Sequence, residues 1–354
     1  ASRYRGPAVM TLNSQGDIQP FHFPTTTVLV DDHEEYLDVV PLLLDPMVRV
    51  RTFSSPRSAL ATLGNNGSRP VPGGGWLYRW KDRPSETQEL VALDIDSIHR
   101  VVYDPERFAE ISVVVVDQAM PEMDGITFCK RLPNPHIGKI LLTGRADDAT
   151  AIDAFNSGVI DRFIRKSDPL AIEKLQTAIV ELQRRYFERA SAFVAETLAL
   201  GNFRFLRDPA FREVLQSVTA TFQPVECYVH CNPTGLLLVD AWGIGRFLLV
   251  QTDEDLRTHY EIAADLGAPA AVLDALRSGD ALPWFASRDG FYHKGVENPE
   301  SHMYPATAVS GEQWYYYALI DDVERFRLQH VKSYRTWLRE QDLSLSADSR
   351  PRFI

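Results

Sequence analysis

The residues of this sequence that could do chemistry stand directly after short apolar runs. Residues 27–30 lead into Asp31 and Asp32, and residues 113–116 lead into Asp117. Two further runs end in Thr143 and in Lys166. A carboxylate can act as a nucleophile or bind a hard cation, while a hydroxyl and an ammonium can offset developing negative charge. If they meet, these five side chains combine a nucleophile with the means to stabilise an anion.

The apolar runs are typical of buried β-strands. If these strands are parallel and their helices cross over right-handedly, their C-terminal ends all open onto one edge of the sheet, where open α/β folds place their ligands. The sequence therefore predicts that the three carboxylates, the hydroxyl and the ammonium lie together at that edge.

The segment around Asp117 is the most specific part of the pattern. After the run at 112–116 come Asp117, a Met-Pro turn at 120–121, and Glu-Met-Asp-Gly at 122–125. Together with the acidic pair, Thr143 and Lys166, this order of elements resembles the receiver domain of two-component response regulators over about residues 25–185. The resemblance implies an α/β fold, a five-stranded parallel doubly wound (flavodoxin-like) sheet with an insertion before its third strand.

The resemblance also implies roles for the site residues. Asp117 would attack the phosphoryl group of a phosphohistidine on a sensor histidine kinase or phosphotransfer protein. Lys166 and Thr143 would assist the transfer, and Thr143 would act as a switch together with Phe163. Phe163 has a second interpretation as an ordinary half-buried strand residue. Mg²⁺ would be held by four residues of the chain: Asp31, Asp32, Asp117 and, through its backbone carbonyl, Ala119.

Three features depart from the family pattern. Ser167 stands where a proline usually follows the lysine, so the loop at Lys166 is expected to differ in shape. Gln118 occupies the position that tunes dephosphorylation in the family. Asp32 and Asp117 are 85 residues apart, which places an insertion at about residues 64–110. Its tryptophans would form either a small core of the insertion or a partner surface.

A long helix is predicted from Asp168 to Gly201, where a glycine stops it. Its first half has the apolar spacing of a coiled-coil seam. The segment at 172–200 is therefore expected either to form a homodimer stalk, with Ala190, Phe193 and Val194 at the subunit interface, or to be a helix packed on the next domain. The predicted division is a flexible leader at 1–23, a receiver domain at 24–185, a helical linker at 186–201, a second domain at 202–342 and a mobile tail at 343–354.

The second domain has no signature of a known output family. A helix, an antiparallel meander between residues 225 and 251, further helices and strands, and a charged helix at 321–341 predict an α+β fold. Residues 201–354 hold 15 Lys and Arg against 21 Asp and Glu. Since duplex binding depends on neutralising phosphates, this acidic balance disfavours nucleic acid. Protein or small-ligand contacts are expected instead. The alternatives are an unrecognised enzyme or a phosphate acceptor whose second domain only dimerises.

Composition sets the remaining limits. The chain has 354 residues, of which 45% are apolar, and a mean hydropathy of −0.20, with no run of membrane-spanning length. Three scattered cysteines fit a reducing cytoplasm. Cys227, His230 and Cys231 are spaced like metal ligands, but on a strand His230 points away from both cysteines, which favours two core thiols and a surface imidazole.

Overall fold

The computed structural model of the chain describes residues 18–66, 76–80, 90–144, 148–287, 289–321 and 323–348. The strands are β1 (Phe21–His22), β2 (Thr26–Val30), β3 (Arg49–Phe53), β4 (Leu77–Trp80), β5 (Leu90–Leu93), β6 (Ile111–Asp117), β7 (Gly138–Thr143), β8 (Arg162–Arg165), β9 (Glu226–Cys231), β10 (Thr234–Val239), β11 (Gly245–Thr252), β12 (Ala281–Pro283), β13 (Met303–Pro305), β14 (Thr307–Ser310) and β15 (Trp314–Ile320). The helices are α1 (Glu34–Leu43), α2 (Pro56–Asn66), α3 (Ile95–Arg100), α4 (Gly125–Lys130), α5 (Asp148–Asn156), α6 (Ala171–Leu198), α7 (Pro209–Phe222), α8 (Asp253–Asp265), α9 (Ala270–Ser278) and α10 (Tyr334–Asp348).

The first sheet has five parallel strands in the order β3-β2-β6-β7-β8. Its central strand β6 is buried along its whole length, because helices cover both faces of the sheet. A continuous valine run is what such a strand requires. The predicted flavodoxin-like receiver fold is confirmed, and β6 is the third strand of its sheet in chain order, after the insertion.

The insertion before β6 folds back into the chain. It contains the antiparallel hairpin β4–β5 and then α3, which begins where the Asp94 side chain accepts the backbone N–H of Ser97 at 3.0 Å. Trp76 is buried and packs edge to face on Phe21, with ring centroids 4.8 Å apart. Trp76 therefore belongs to the core of the chain rather than to a partner surface.

The second sheet is antiparallel, in the order β1-β9-β10-β11-β15-β14, with β12 and β13 forming a separate two-stranded sheet. The predicted meander corresponds to β9, β10 and β11, and the α+β class of this domain is confirmed. Strands β13 and β14 have no counterpart in the sequence prediction. One hydrophobic core runs from the first sheet, through residues such as Val114, into the second, through residues such as Leu237.

The prediction of a flexible leader through residue 23 is wrong for residues 18–23. Strand β1 pairs with β9, placing Phe21 opposite Tyr228. Ile18, Phe21 and Phe23 are buried, so this segment gains stability from burying apolar surface. The segment before the receiver thus forms the edge of the second sheet. Residues 1–17 lie outside the described part of the chain.

Helix α6 is one continuous helix of 28 residues that serves both domains. Leu175, Ile179 and Leu182 pack on the first sheet. Farther along, Phe187 and Val194 are buried within the same chain, so the placement of Val194 at a subunit interface is wrong. Phe193 is 50% exposed. The helix is thus packed on the second domain, and a homodimer through residues 172–200 stays a prediction.

A buried ion pair joins the insertion to the second sheet. Arg107 donates two hydrogen bonds to the carboxylate of Glu226, at 2.7 and 2.9 Å, and both side chains are almost completely buried. The Tyr228 hydroxyl donates to Glu226 at 2.7 Å, and Arg107 also donates to the backbone carbonyl of Lys332 at 2.9 Å. Because both charges are paired and hydrogen-bonded, the desolvation cost of this contact is offset.

The C-terminal part of the chain returns to the receiver. The single helix predicted at 321–341 is wrong at its start: two short 3₁₀ turns, Glu324–Phe326 and Leu328–His330, precede α10. Arg327 interrupts the helical path with a positive φ of 47°. The Tyr334 hydroxyl in α10 donates to the carbonyl of Met47 at 2.7 Å. The prediction of a mobile tail from residue 343 is wrong for residues 343–348, which are helical, and residues 349–354 are outside the description.

Candidate functional site

The structure brings the acidic residues together at the C-terminal edge of the first sheet. Strands β2 and β6 are parallel neighbours. Asp31, which follows β2, and Asp117, which ends β6, therefore lie at the same edge of the sheet. Asp31 is fully buried and Asp117 is 5% exposed, whereas Asp32 is partly exposed. Buried carboxylates are costly unless cations or hydrogen bonds compensate them, so this edge requires a positive group.

Lys166 is that group. Its Nζ lies 2.6 Å from Asp31 Oδ2 and 2.7 Å from Asp117 Oδ1, and 4.5 Å from the ring centroid of Tyr36. Partial burial would lower the pKa of Lys166, but hydrogen bonds to Asp117 and Asp31 outweigh it, and the pKa is raised. The ammonium therefore stays charged and bridges two carboxylates.

The loop at Lys166 reaches the site although Ser167 replaces the expected proline. The backbone N–H of Lys166 donates to the carbonyl of Thr143 at 3.0 Å, and that of Asp168 donates to the carbonyl of Arg165 at 3.0 Å. These two bonds hold the loop at the end of β8. Its shape therefore does not move Lys166 away from the carboxylates.

Thr143 stands at the end of β7 with no exposed surface, and its hydroxyl has no hydrogen-bond partner among the described residues. A buried hydroxyl without a partner is costly, so this atom is poised to accept or donate a bond that the present state lacks. Phe163 on β8 is half-buried and packs edge to face on Phe155, with centroids 6.3 Å apart.

The turn after β6 fixes the nucleophile candidate. The Ala119 backbone N–H donates to Asp117 Oδ2 at 2.9 Å, and that of Gly125 donates to the Gln118 carbonyl at 3.2 Å. A Cβ at Gly125 would lie 2.4 Å from the Asp117 carbonyl oxygen, so only glycine permits this approach of α4. The Gln118 side-chain oxygen is buried and has no hydrogen-bond partner in the described parts of the chain.

Sequence reasoning missed two residues of this site. Tyr36, on α1, covers Lys166 with its ring. His33 directly follows the acidic pair, and its Nδ1 lies 3.2 Å from Asp31 Oδ1 and 3.3 Å from Asp32 Oδ1. Adjacency to the pair was the available signal for His33, while Tyr36 could be found only from the helical geometry of α1.

Among the described residues of the second domain, the cysteines and histidines are not grouped closely enough to hold a metal ion together. Cys227 is buried, and the Cys231 thiol donates to Asp96 of α3 at 2.9 Å. His230 is partly buried against Phe247, a correction to its prediction as a surface imidazole. In the described part of the chain, the group of side chains close enough to hold a metal together consists of Asp31, Asp32 and His33.

Comparisons with known proteins agree with this geometry. A family model for the response regulator receiver domain matches residues 94–180, which include Asp117, Thr143 and Lys166. The solved structure of the response regulator LqsR from Legionella pneumophila is 33% identical, with a TM-score of 0.70. It matches 91% of this chain and 96% of its own. The chain belongs to the response regulators.

A curated relative matches less than half of the chain. The transcriptional regulatory protein ZraR of Klebsiella oxytoca is 30% identical over 148 residues, which is 41% of this response regulator. The match spans 29% of the length of ZraR. Among the described helices of this response regulator, none is both long and apolar enough to cross a membrane.

Proposed function

We propose that this response regulator accepts a phosphoryl group on Asp117 from a sensor histidine kinase or phosphotransfer protein. The observation that carries the proposal is the ammonium of Lys166 at 2.6 and 2.7 Å from two buried carboxylates. Beside it lies the Thr143 hydroxyl, which has no hydrogen-bond partner among the residues that the structure describes. The receiver family implies phosphorylation-dependent signalling, and this arrangement supports Asp117 as the acceptor within it.

The reaction is a transfer between two nucleophiles. A carboxylate oxygen of Asp117 bonds to phosphorus while the P–N bond of the phosphohistidine breaks, and the electron pair of that bond returns to the imidazole nitrogen. The product is an acyl phosphate. Lys166 offsets charge on the transferring group, since its ammonium already touches Asp117 Oδ1. The Ala119 N–H holds the other carboxylate oxygen in place at 2.9 Å.

The donor set fits Mg²⁺. Asp31, Asp32, Asp117 and the carbonyl of Ala119 offer oxygen atoms only, which is what this hard cation prefers. Asp32 Oδ1 is buried and makes no hydrogen bond among the described residues, so a ligand-type position is open there. When bound, Mg²⁺ would neutralise charge on the carboxylates and on the phosphoryl oxygens.

Phosphorylation is expected to act through Thr143 and Phe163. A phosphoryl group on Asp117 would give a partner to the buried Thr143 hydroxyl, which has none within the described residues. Drawing that side chain inward would open space beside β8. Phe163 is only half-buried, so its ring has room to move. We propose this pair as the switch.

The proposed output works through protein or small-ligand contacts rather than through nucleic acid. The acidic balance of residues 201–354 opposes phosphate binding. At the turn between β10 and β11, Trp242 and Ile244 are both more than half exposed, which suits a protein contact better than an ordinary surface. The name of ZraR describes transcription for that protein, and its match covers only 41% of this one.

The proposal is tested by phosphoryl uptake. With Mg²⁺ and a small-molecule phosphodonor, the wild type should take up one base-labile phosphoryl group, and Asp117→Asn should take up none, because an amide oxygen is a poor nucleophile. Asp124→Asn is the matched control, since Asp124 caps α4 and accepts the N–H of Thr127. Equal uptake by the Asp117→Asn variant contradicts the assignment.

A further inference from the structure

His33 has two contacts that the proposed phosphoryl transfer does not use. Its Nδ1 lies 3.2 Å from Asp31 Oδ1 and 3.3 Å from Asp32 Oδ1. The three side chains each offer one ligand atom within 4.8 Å of the others, and in the described residues no second group of His, Cys, Asp or Glu does so. The imidazole nitrogen is therefore placed among the oxygen atoms proposed to hold the cation.

The local backbone keeps the imidazole there. His33 is the N-cap residue of α1, with φ −90° and ψ 104°, and its backbone N–H donates to Asp31 Oδ1 at 3.0 Å. Its side chain makes no capping bond to the helix. The ring is 70% exposed, so a metal ion and its waters can approach it from solvent.

A nitrogen ligand changes which cations a carboxylate site favours. Mg²⁺ selects oxygen atoms and gains little from imidazole, whereas Co²⁺, Ni²⁺ and Zn²⁺ bind imidazole well. We propose that His33 is a metal ligand that gives the acidic pair a higher affinity for such transition-metal ions than its carboxylates alone provide. This inference rests on the proposed function, because it uses the same Asp31 and Asp32.

The bland alternative is that His33 only donates a hydrogen bond that orders the two carboxylates. A side-chain amide at position 33 can still donate such a bond, but it is a weak ligand for a transition metal. His33→Asn and His33→Ala should therefore behave alike if His33 is a ligand. They should differ if it only orders the pair, because asparagine would then restore the wild-type behaviour.

The experiment is a titration of the purified full chain with Co²⁺ and, separately, with Mg²⁺, at one fixed pH above 7. Co²⁺ binding is followed by its visible absorption, which changes when nitrogen replaces oxygen in the coordination shell, and both affinities are measured by calorimetry. Loss of a direct ligand should weaken Co²⁺ at least as much as loss of an outer-shell partner does, by roughly 10-fold or more. Mg²⁺ affinity should change by less than about 3-fold, because His33 adds no oxygen ligand.

The control is His330→Ala, an exposed histidine of the second domain that should leave both titrations unchanged. A weaker Co²⁺ affinity in both His33 variants, with Mg²⁺ affinity retained, supports the inference. It is overturned if either His33 variant binds Co²⁺ as the wild type does, if Co²⁺ and Mg²⁺ affinities fall together, or if His330→Ala has the same effect as His33→Ala.

Failure of this inference is distinguishable from failure of the proposed function. Phosphoryl uptake on Asp117 is measured with Mg²⁺ in the wild type, separately from the Co²⁺ titrations of the His33 variants. If Asp117 takes up the phosphoryl group but Co²⁺ binding does not depend on His33, only the inference fails. If Asp117 takes up no phosphoryl group while Co²⁺ binding depends on His33, the proposed transfer fails and the metal ligand stands.

Discussion

Buried charged and polar groups are paired to different extents at the two edges of the receiver sheet. At the C-terminal edge, Lys166 bridges Asp31 and Asp117, but Asp32 Oδ1 and the Thr143 hydroxyl remain without hydrogen-bond partners among the described residues. Toward the opposite edge, Arg107 and Glu226 are paired through two hydrogen bonds. Phe108, next to Arg107, accepts a bond from Thr26 at the start of β2 through its carbonyl.

The difference distinguishes a site that can react from a contact that only holds the structure together. A buried polar network whose members are all paired favours a single arrangement, whereas a network with open positions can take up a cation or a new anion. The Arg107–Glu226 pair is therefore expected to lock the second domain onto the receiver. The site around Asp117 is expected to change its partners when the phosphoryl group arrives.

The largest expected effect is on the buried ion pair between Arg107 and Glu226. Arg107→Ala leaves the carboxylate of Glu226 buried and unpaired, so the free energy of unfolding should fall by about 3–5 kcal/mol. Chemical denaturation of the full chain measures it. Asp274→Ala is the matched control, because it removes a salt bridge to Arg277 in which both side chains are more than 60% exposed. That loss should be much smaller, because water and salt screen an exposed ion pair. A loss as small for Arg107→Ala as for the control would mean that the pair does not lock the domains.

A smaller effect is expected from protonation at the same interface. Burial and the neighbouring His230 lower the pKa of His99, on α3, to about 4, while Asp96 opposes the shift. Because the folded-state pKa is depressed below its unfolded value, stability from neutral His99 is present above pH 6.5 and is lost as pH falls toward 4.

The free energy of unfolding of the wild type should therefore fall more steeply over that pH range than that of His99→Gln. We expect a difference of about 2 kcal/mol, reduced from the full shift because His99 is partly exposed. Denaturation curves at pH 7 and pH 4 measure it, with His330→Gln as an exposed control. If the free energy of unfolding fell by the same amount in the wild type and in His99→Gln, protonation of His99 would cost the fold no stability, contrary to the prediction.

Binding of a cation at the C-terminal edge of the receiver sheet should stabilise the fold. A ligand at 100 times its dissociation constant stabilises a fold by about 2.7 kcal/mol, so Mg²⁺ should raise the melting temperature of the wild type. Asp32→Ala should lose most of that rise, because it removes the carboxylate whose buried Oδ1 accepts no hydrogen bond from the described residues. Asp38→Ala, on the exposed side of α1, should keep it. A full Mg²⁺ response in Asp32→Ala would remove Asp32 from the metal site.

The site at the C-terminal edge of the receiver sheet could be predicted from the sequence. The pairing of Arg107 with Glu226 could not. The buried strands β2, β6 and β7 are largely apolar runs that lead into polar residues, and the short strand β8 leads into Lys166. Parallel topology therefore brings Asp31, Asp117 and Lys166 together. Arg107 and Glu226 are 119 residues apart in different domains, and no periodicity or motif links them.

The same limit explains the errors at the two ends of the described chain. Strand β1 has two residues, too few for an alternating pattern, and its partner β9 lies about 200 residues away. In the stretch before α10, the apolar spacing suggested one helix, but Arg327 takes a positive φ that the amphipathic pattern does not reveal. Pairing with β9 decides the first segment, and the local backbone conformation at Arg327 decides the second.

The measurement that tests the central claim most directly is chemical trapping of the phosphorylated residue. Borohydride reduces an acyl phosphate to an alcohol, so a phosphorylated aspartate becomes homoserine and can be located by peptide mass spectrometry. After treatment with a phosphodonor and Mg²⁺, homoserine should appear at Asp117 and nowhere else. Homoserine at Asp31 or Asp32, or none in a protein that has taken up phosphate, would contradict the assignment of Asp117 as the acceptor.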